Sequence, residues 1–189
     1  MSNDSESQVV EHLKAQIQAL ESSEQIRQLK ALAMYHADRQ DAEAFAGLFC
    51  EDGVFIGVTQ EHRGRQAIAK NLNFLPFAVH YIMNPIISVS GDRADARWYT
   101  LRPQVDRTGV PSLTAGWYDD EYVRIAGEWR FKSVTIKYCF HSPYNTGWSK
   151  DRVVAPEPIS AALGASLARS RTGAVSTHVQ HEKVTPTRR

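Results

Sequence analysis

Between Ile26 and Asp41 apolar residues return every three or four positions, and Ile26, Leu29, Leu32, Ala33 and Ala37 form a stripe that predicts an amphipathic helix. Upstream, Val9 or Val10, Leu13, Ile17 and Leu20 keep helical spacing and predict an additional N-terminal helix, packed on the core or on a neighbouring subunit. AEAFAGLF reads as a short helix with Phe45, Leu48 and Phe49 on one face, and EDGVFIG as a turn feeding a short strand. GRQAIAKNLNFL predicts a further helix, opened by Gly64 and stopped near Pro76. The segments VHYIMNPIISVSGD, RADARWYTLRPQV and TAGWYDDEYVRIAGEWRFKSVTIKYCF are rich in Val, Ile, Trp and Tyr and are punctuated by SGD and AGE turns. They predict a run of antiparallel strands. Helices followed by strands indicate an α+β domain: a cone-shaped barrel in which a curved antiparallel sheet wraps around N-terminal helices.

Two residues in this pattern carry candidate chemistry. Asp38 falls in the last turn of its helix and faces the negative end of the macrodipole, a position that calls for a compensating partner or a raised pKa. His80 opens a strand forty-two positions later. A carboxylate that accepts the proton on one imidazole nitrogen leaves the other as a proton acceptor, which is the smallest general-base device a protein can build. The plainer readings are a solvated loop acid, for Asp38 as for Asp41, and a structural histidine beside an apolar strand. Strand alternation places Ile82 and Asn84 on the same face as His80.

Taken together, several segments resemble the SnoaL-like branch of the nuclear transport factor 2-like superfamily. They are IRQLKA at 26–31, the pair Asp38 and Asp41, AFAGLFCEDGVF, the Gly64 helix and DEYVRIAGEWRF at 120–131, covering about residues 24–142 in family order. In dehydratase and dehydrochlorinase members of that branch an Asp after the first helix and a His opening the strand after the third helix form the catalytic dyad, and Asp38 and His80 match those positions. The HYxxN context of His80 is similar to that of the dehydrochlorinase. The resemblance also sets the inward parity of later strands, nominating Trp98 and Arg102, then Tyr118, with Phe55 and Asn84, as residues that line a substrate cavity. Arg102 would hold an oxygen or a leaving group, and Tyr118 would donate a hydrogen bond to developing charge; strand-end solvation and sheet packing are their structural alternatives. Two departures stand out. Some dehydratase members have a Tyr where this chain has Ala33, so Tyr35, on the same helical face as Asp38, is the candidate substitute or a core aromatic; and a second family histidine corresponds to a place near Gln104. Asp120 shares the inward parity of Tyr118 and would need a partner.

The implied function is a cofactor-free lyase acting on a hydrophobic aryl or alicyclic small molecule, expelling water, halide or a small carbonyl fragment such as formaldehyde. An isomerase or epoxide hydrolase on the same fold, or a non-catalytic subunit of an aromatic-ring dioxygenase, are the alternatives. Relatives of this fold imply a homo-oligomer, trimer or dimer. Composition narrows the field further: 189 residues, 42% hydrophobic and 10% aromatic, can build a substantial core, and a net charge of +1 gives no electrostatic case for nucleic acid or a membrane surface. The polar, acidic start and the lack of a long apolar run predict a cytoplasmic protein. Cys50 and Cys139 lack metal-ligand spacing, the histidines form no HxxxH or HExxH, and neither a phosphate loop nor GxSxG occurs, so no metal or cofactor is expected. Domain organisation reads as an N-terminal extension (1–23), the SnoaL-like domain (24–142), a segment carrying Tyr144 and Trp148 that could form a lid or an oligomer contact (143–170), and a flexible tail (171–189).

Overall fold

No proline or glycine interrupts the stretch between Leu20 and Ile26, and the two predicted N-terminal helices form one rod, α1 (Ser2–Asp38). The computed structural model describes residues 2–57, 60–72 and 74–150, with side chains from residue 6 onward. From Glu6 to Glu21 α1 is exposed, and from Ser22 its inner face is buried through Ile26, Lys30, Ala33, Met34 and Ala37. Asp41 caps the next helix, α2 (Ala42–Gly47), by accepting the Ala44 N–H at 3.0 Å, which assigns this second acid a local role.

Strands β1 (Phe49–Ile56) and β2 (Glu61–Arg63) precede the helix α3 (Arg65–Asn71), which starts at Gly64 with φ of 84°. The short β3 (Phe77–Ala78) leads into β4 (Tyr81–Ser90), β5 (Arg93–Val105), β6 (Pro111–Ile125) and β7 (Glu128–Pro143). The sheet order is β2-β1-β7-β6-β5-β3, with β4 also pairing with β5. One pairing departs from the expected antiparallel run: β1 lies parallel to β7. Both sequence-predicted turns are present, Gly91 and the pair Ala126–Gly127 all having positive φ, and the latter supplies the conformation that a tight hairpin needs.

Even-numbered residues of β5 and β6 point inward. Ala94, Ala96 and Trp98 of β5, Tyr118 and Tyr122 of β6, and Phe131 and Val134 of β7 close the core against Ile26, Ala33 and Met34. The architecture is thus the expected α+β cone. A bulge opposite Ala115 and Gly116 changes the alternation of β7, with Ala115 facing Phe140 and Gly116 facing Tyr138. Cys139 is the extra residue. Gly116 makes this close approach possible, since a Cβ there would lie 2.0 Å from the Lys137 carbonyl oxygen. Among the described residues no helix is long and apolar enough to cross a membrane.

Candidate active site

The last turn of α1 delivers Asp38 to the residue that precedes β4. Its carboxylate accepts the His80 backbone N–H at 3.2 and 3.3 Å and lies 2.6 Å from His80 Nδ1. One carboxylate therefore fixes both the main chain and the ring of the same residue. An ionised carboxylate can only accept, so Nδ1 carries the proton and Nε2 keeps its lone pair. The His80 side chain is 8% exposed. Burial, opposed by the hydrogen bond to Asp38 and helped by the positive charge of Arg102, holds its pKa below the ordinary 6.5, leaving a neutral imidazole at neutral pH.

His80 stands on the wall of a cavity of about 410 Å³. Phe45, Phe55, Leu72, Phe74 and Ile136 make one end apolar, while His80, Arg102, Gln104, Tyr118, Tyr138 and His141 supply the polar groups. Arg102 spreads its guanidinium over three neutral acceptors: Nε donates to Gln104 Oε1 at 2.6 Å, Nη2 to the Tyr138 hydroxyl at 2.8 Å, and Nη1 lies 3.4 Å from His80 Nε2. Thr114 continues the network, its hydroxyl donating to Gln104 Oε1 at 3.2 Å and standing 2.8 Å from His141 Nδ1. Arg102, Thr114 and His141 are direct cross-strand partners on β5, β6 and β7.

Beneath the cavity floor lies a buried ion pair. Lys30 Nζ is 2.8 Å from Asp120 Oδ2, with side chains 1% and 0% exposed. The same carboxylate accepts the Tyr122 hydroxyl at 2.8 Å, and Trp98 Nε1 donates to that hydroxyl at 3.1 Å. Asp120 Oδ1 has no hydrogen-bond donor among the described residues. The Lys30 ammonium also sits 3.7 Å from the centroid of the Tyr118 ring. Desolvation outweighs mutual attraction for both ions, pushing the Asp120 carboxyl above its usual range and the Lys30 ammonium below its own. Burial likewise raises the Tyr118 hydroxyl far above a normal phenol, so it stays protonated.

Of the residues nominated from sequence, Asp38 and His80 meet, and His80, Phe55, Arg102 and Tyr118 line the cavity. Three others lie outside it. Tyr35 is exposed and stacks its edge on His36, because Met34 and Ala37 occupy the inward stripe. Asn84 is exposed with φ of 47° in a bulge between Met83 and Ile86, where Pro85 interrupts the ladder and the expected alternation from His80 is lost. Trp98 does point inward, but its indole is spent on Tyr122 in the core. Tyr144 and Trp148 are exposed; Trp148 stacks on Phe140, at 5.3 Å between centroids, and not over the cavity. The remainder of the proposed lid segment and the tail, from residue 151, lie outside the described residues.

Lys30, Tyr138 and His141 escaped the sequence reading. A lysine at the centre of the Ile26, Ala33, Met34, Ala37 stripe is itself a signal of a buried acid opposite, and Asp120, with its inward parity, is the acid that needs such a cation. Nothing local marks His141, whose inward direction depends on the bulge at Cys139. Among the described residues no group of three or more His, Cys, Asp or Glu side chains converges to hold a metal ion.

A helix-wrapped, curved sheet that encloses a polar-ended cavity defines a cone of the nuclear transport factor 2-like class. Residues 18–135 match the model of the SnoaL-like domain, and the chain belongs to that family. No curated protein sequence matches it. A solved structure from Novosphingobium aromaticivorans DSM 12444, provisionally assigned as a scytalone dehydratase, is 26% identical and covers 75% of this chain and 95% of its own, with a TM-score of 0.61. Hexachlorocyclohexane dehydrochlorinase LinA-type3 from Novosphingobium barchaimii LL02 is 19% identical over 72% of this chain and 97% of its own, at a TM-score of 0.61. A protein from the first organism, provisionally assigned as an aromatic ring hydroxylase, is 22% identical over 69% and 96%, at 0.60. The last two likenesses bear on fold.

Proposed function

We propose that this protein is a lyase that uses side chains alone to remove a proton from a hydrophobic aryl or alicyclic small molecule while a leaving group departs. The observation that carries this reading is the Asp38 carboxylate 2.6 Å from His80 Nδ1, at the wall of an apolar-ended cavity. His80 Nε2 takes the proton from carbon, the C–H pair becomes the new double bond, and the adjacent bond to hydroxyl or halide breaks with its electrons. For loss of formaldehyde the proton comes from a hydroxyl, and the breaking C–C bond leaves its pair on the ring-bearing carbon. Asp38 stabilises the imidazolium formed in either case. General-base catalysis contributes roughly 10²- to 10⁴-fold, so orientation in the cavity supplies the remainder.

The dehydratase assignment of the 26% identical structure supports the same class of reaction. A cavity with paired ionisable groups at its wall favours catalysis over a purely structural subunit. Product analysis of the wild type, Asp38→Asn and His80→Ala against aryl and alicyclic alcohols, diols and halides tests the reading. Elimination products from the wild type alone are expected. Turnover that survives in both folded variants would remove the dyad from the mechanism.

A further inference from the structure

Arg65, Arg97, Arg124 and Arg130 each face a carboxylate, and Lys30 has Asp120. Arg102 differs. Among the described residues it has no carboxylate partner, and all three of its hydrogen-bonding contacts go to neutral atoms. A half-buried guanidinium beside an apolar wall keeps an unmet demand for negative charge, because water cannot screen it freely there. The weakest of its contacts is also the most consequential. Nη1 lies 3.4 Å from His80 Nε2, beyond the usual range for such a bond, so the lone pair required for base chemistry is covered by a donor that is easily drawn away. On the neighbouring nitrogen, Tyr138 accepts from Nη2 and keeps its own hydroxyl proton to donate.

We infer that the cavity takes an apolar-bodied organic monoanion, an aryl or alicyclic carboxylate, whose carboxylate draws Arg102 Nη1 off His80 and so releases the base only when the site is filled. One carboxylate oxygen accepts from Nη1 and the other accepts the Tyr138 hydroxyl proton, while the ring lies against Phe45, Phe55 and Phe74. The carboxylate is an anchor and takes no part in bond breaking. The release of the base rests on the reading of His80 given above; the anion site does not.

Charged and titratable groups face His80 from every side of the cone: Asp38 and Lys30 from α1, Arg102 from β5, Tyr118 from β6, and Tyr138 and His141 from β7. Arg102 is the one whose hydrogen bond the ligand replaces. Benzoate and its neutral isostere benzamide are suitable probes, followed by calorimetry and by NMR titration of the His80 ring. Wild type is expected to bind benzoate about tenfold or more tightly than benzamide, as a charge-assisted pair should. Saturation with benzoate should raise the His80 midpoint by about one pH unit. Arg102→Met should abolish the preference for benzoate and raise the His80 midpoint in the free protein; should it not fold, Arg102→Gln, which can still reach Tyr138, takes its place. His80→Ala should keep the preference. Equal binding of the two probes by wild type, or a preference that survives loss of Arg102 and disappears with His80, overturns the inference. None of these readouts needs turnover. If they fail while Asp38→Asn and His80→Ala abolish elimination, the base assignment stands without the anion site; the opposite pattern leaves the anion site without the base.

Discussion

Replacing Lys30 by Met keeps the aliphatic stem packed under Tyr118 but strips Asp120 of its counterion, in a place where the carboxylate is 0% exposed. Uncompensated burial of such a charge costs about 3–5 kcal/mol. Asp120 keeps the Tyr122 hydroxyl as donor, and burial already holds its pKa high, so the residue can escape part of the penalty by taking a proton. Loss of the cation over the Tyr118 ring adds back ~1 kcal/mol. The expected destabilisation is therefore about 3 kcal/mol, or a fall in melting temperature of roughly 6–12 °C for a protein of this size. The double variant Lys30→Met/Asp120→Asn removes both charges and leaves the Asn oxygen to accept from Tyr122, so it should return to within about 1 kcal/mol of wild type. Urea unfolding followed by tryptophan fluorescence reads all three, since Trp98 donates into the network. The deficit of Lys30→Met should also depend on pH. A raised Asp120 pKa means that the folded variant still holds a proton the unfolded chain has shed, so stability falls as pH rises through the folded-state value. A single variant that loses less than about 1 kcal/mol, or a double variant as unstable as the single, refutes the account of a charge pair held together by mutual need.

Three further outcomes follow from the geometry. Since His80 titrates below 6.5, kcat/KM for an eliminated substrate should hold level as pH falls to that point and decline only beneath it; an acid-limb midpoint at or above 7 contradicts the buried, arginine-facing imidazole. Gly116→Ala would drive a Cβ to 2.0 Å from the Lys137 carbonyl, so thermal denaturation should show a loss of about 3 kcal/mol or more, or no folded protein. Phe45 is 2% exposed and packs on Phe49, Phe55 and Phe74, so Phe45→Ala should cost about 3–5 kcal/mol in chemical denaturation and extend the ligand range towards bulkier rings.

The order of helices and strands was legible because apolar spacing reports burial directly, and the cone follows from that order. Joining the two N-terminal helices was also within reach, since the residues between Leu20 and Ile26 contain no breaker. The pairing of β1 with β7 was not, because strand direction across a sheet is set by how distant segments dock and leaves no local mark. Among site residues, Arg102 and Tyr118 were placed on the inner face by the inward parity that the family resemblance implies, and it carries to both because β5 and β6 pair in regular register through those positions. Alternation counted from His80 failed for Asn84, where Pro85 and a left-handed residue break the count, and His141 had no sequence signal, since its direction depends on an unremarkable extra cysteine. Tyr35 shows a different limit: being on the same side as Asp38 is not the same as facing inward when the functional side chain sits on the last turn.

The bulge at Cys139 separates two properties that a regular strand ties together, the length of β7 and the identity of the side chains it shows to the ligand. Regular alternation from Tyr138 would turn Phe140 inward and His141 outward; absorbing one residue opposite Gly116 reverses both. The wall of the cavity can thus be exchanged between an aromatic hydrocarbon and a titratable ring by one residue of slippage, while Val134, Phe131 and the rest of the strand nearer the core keep their places. A fold with such a joint can change the polarity of what it accepts by insertion or deletion at a single point, leaving its folding core out of the transaction.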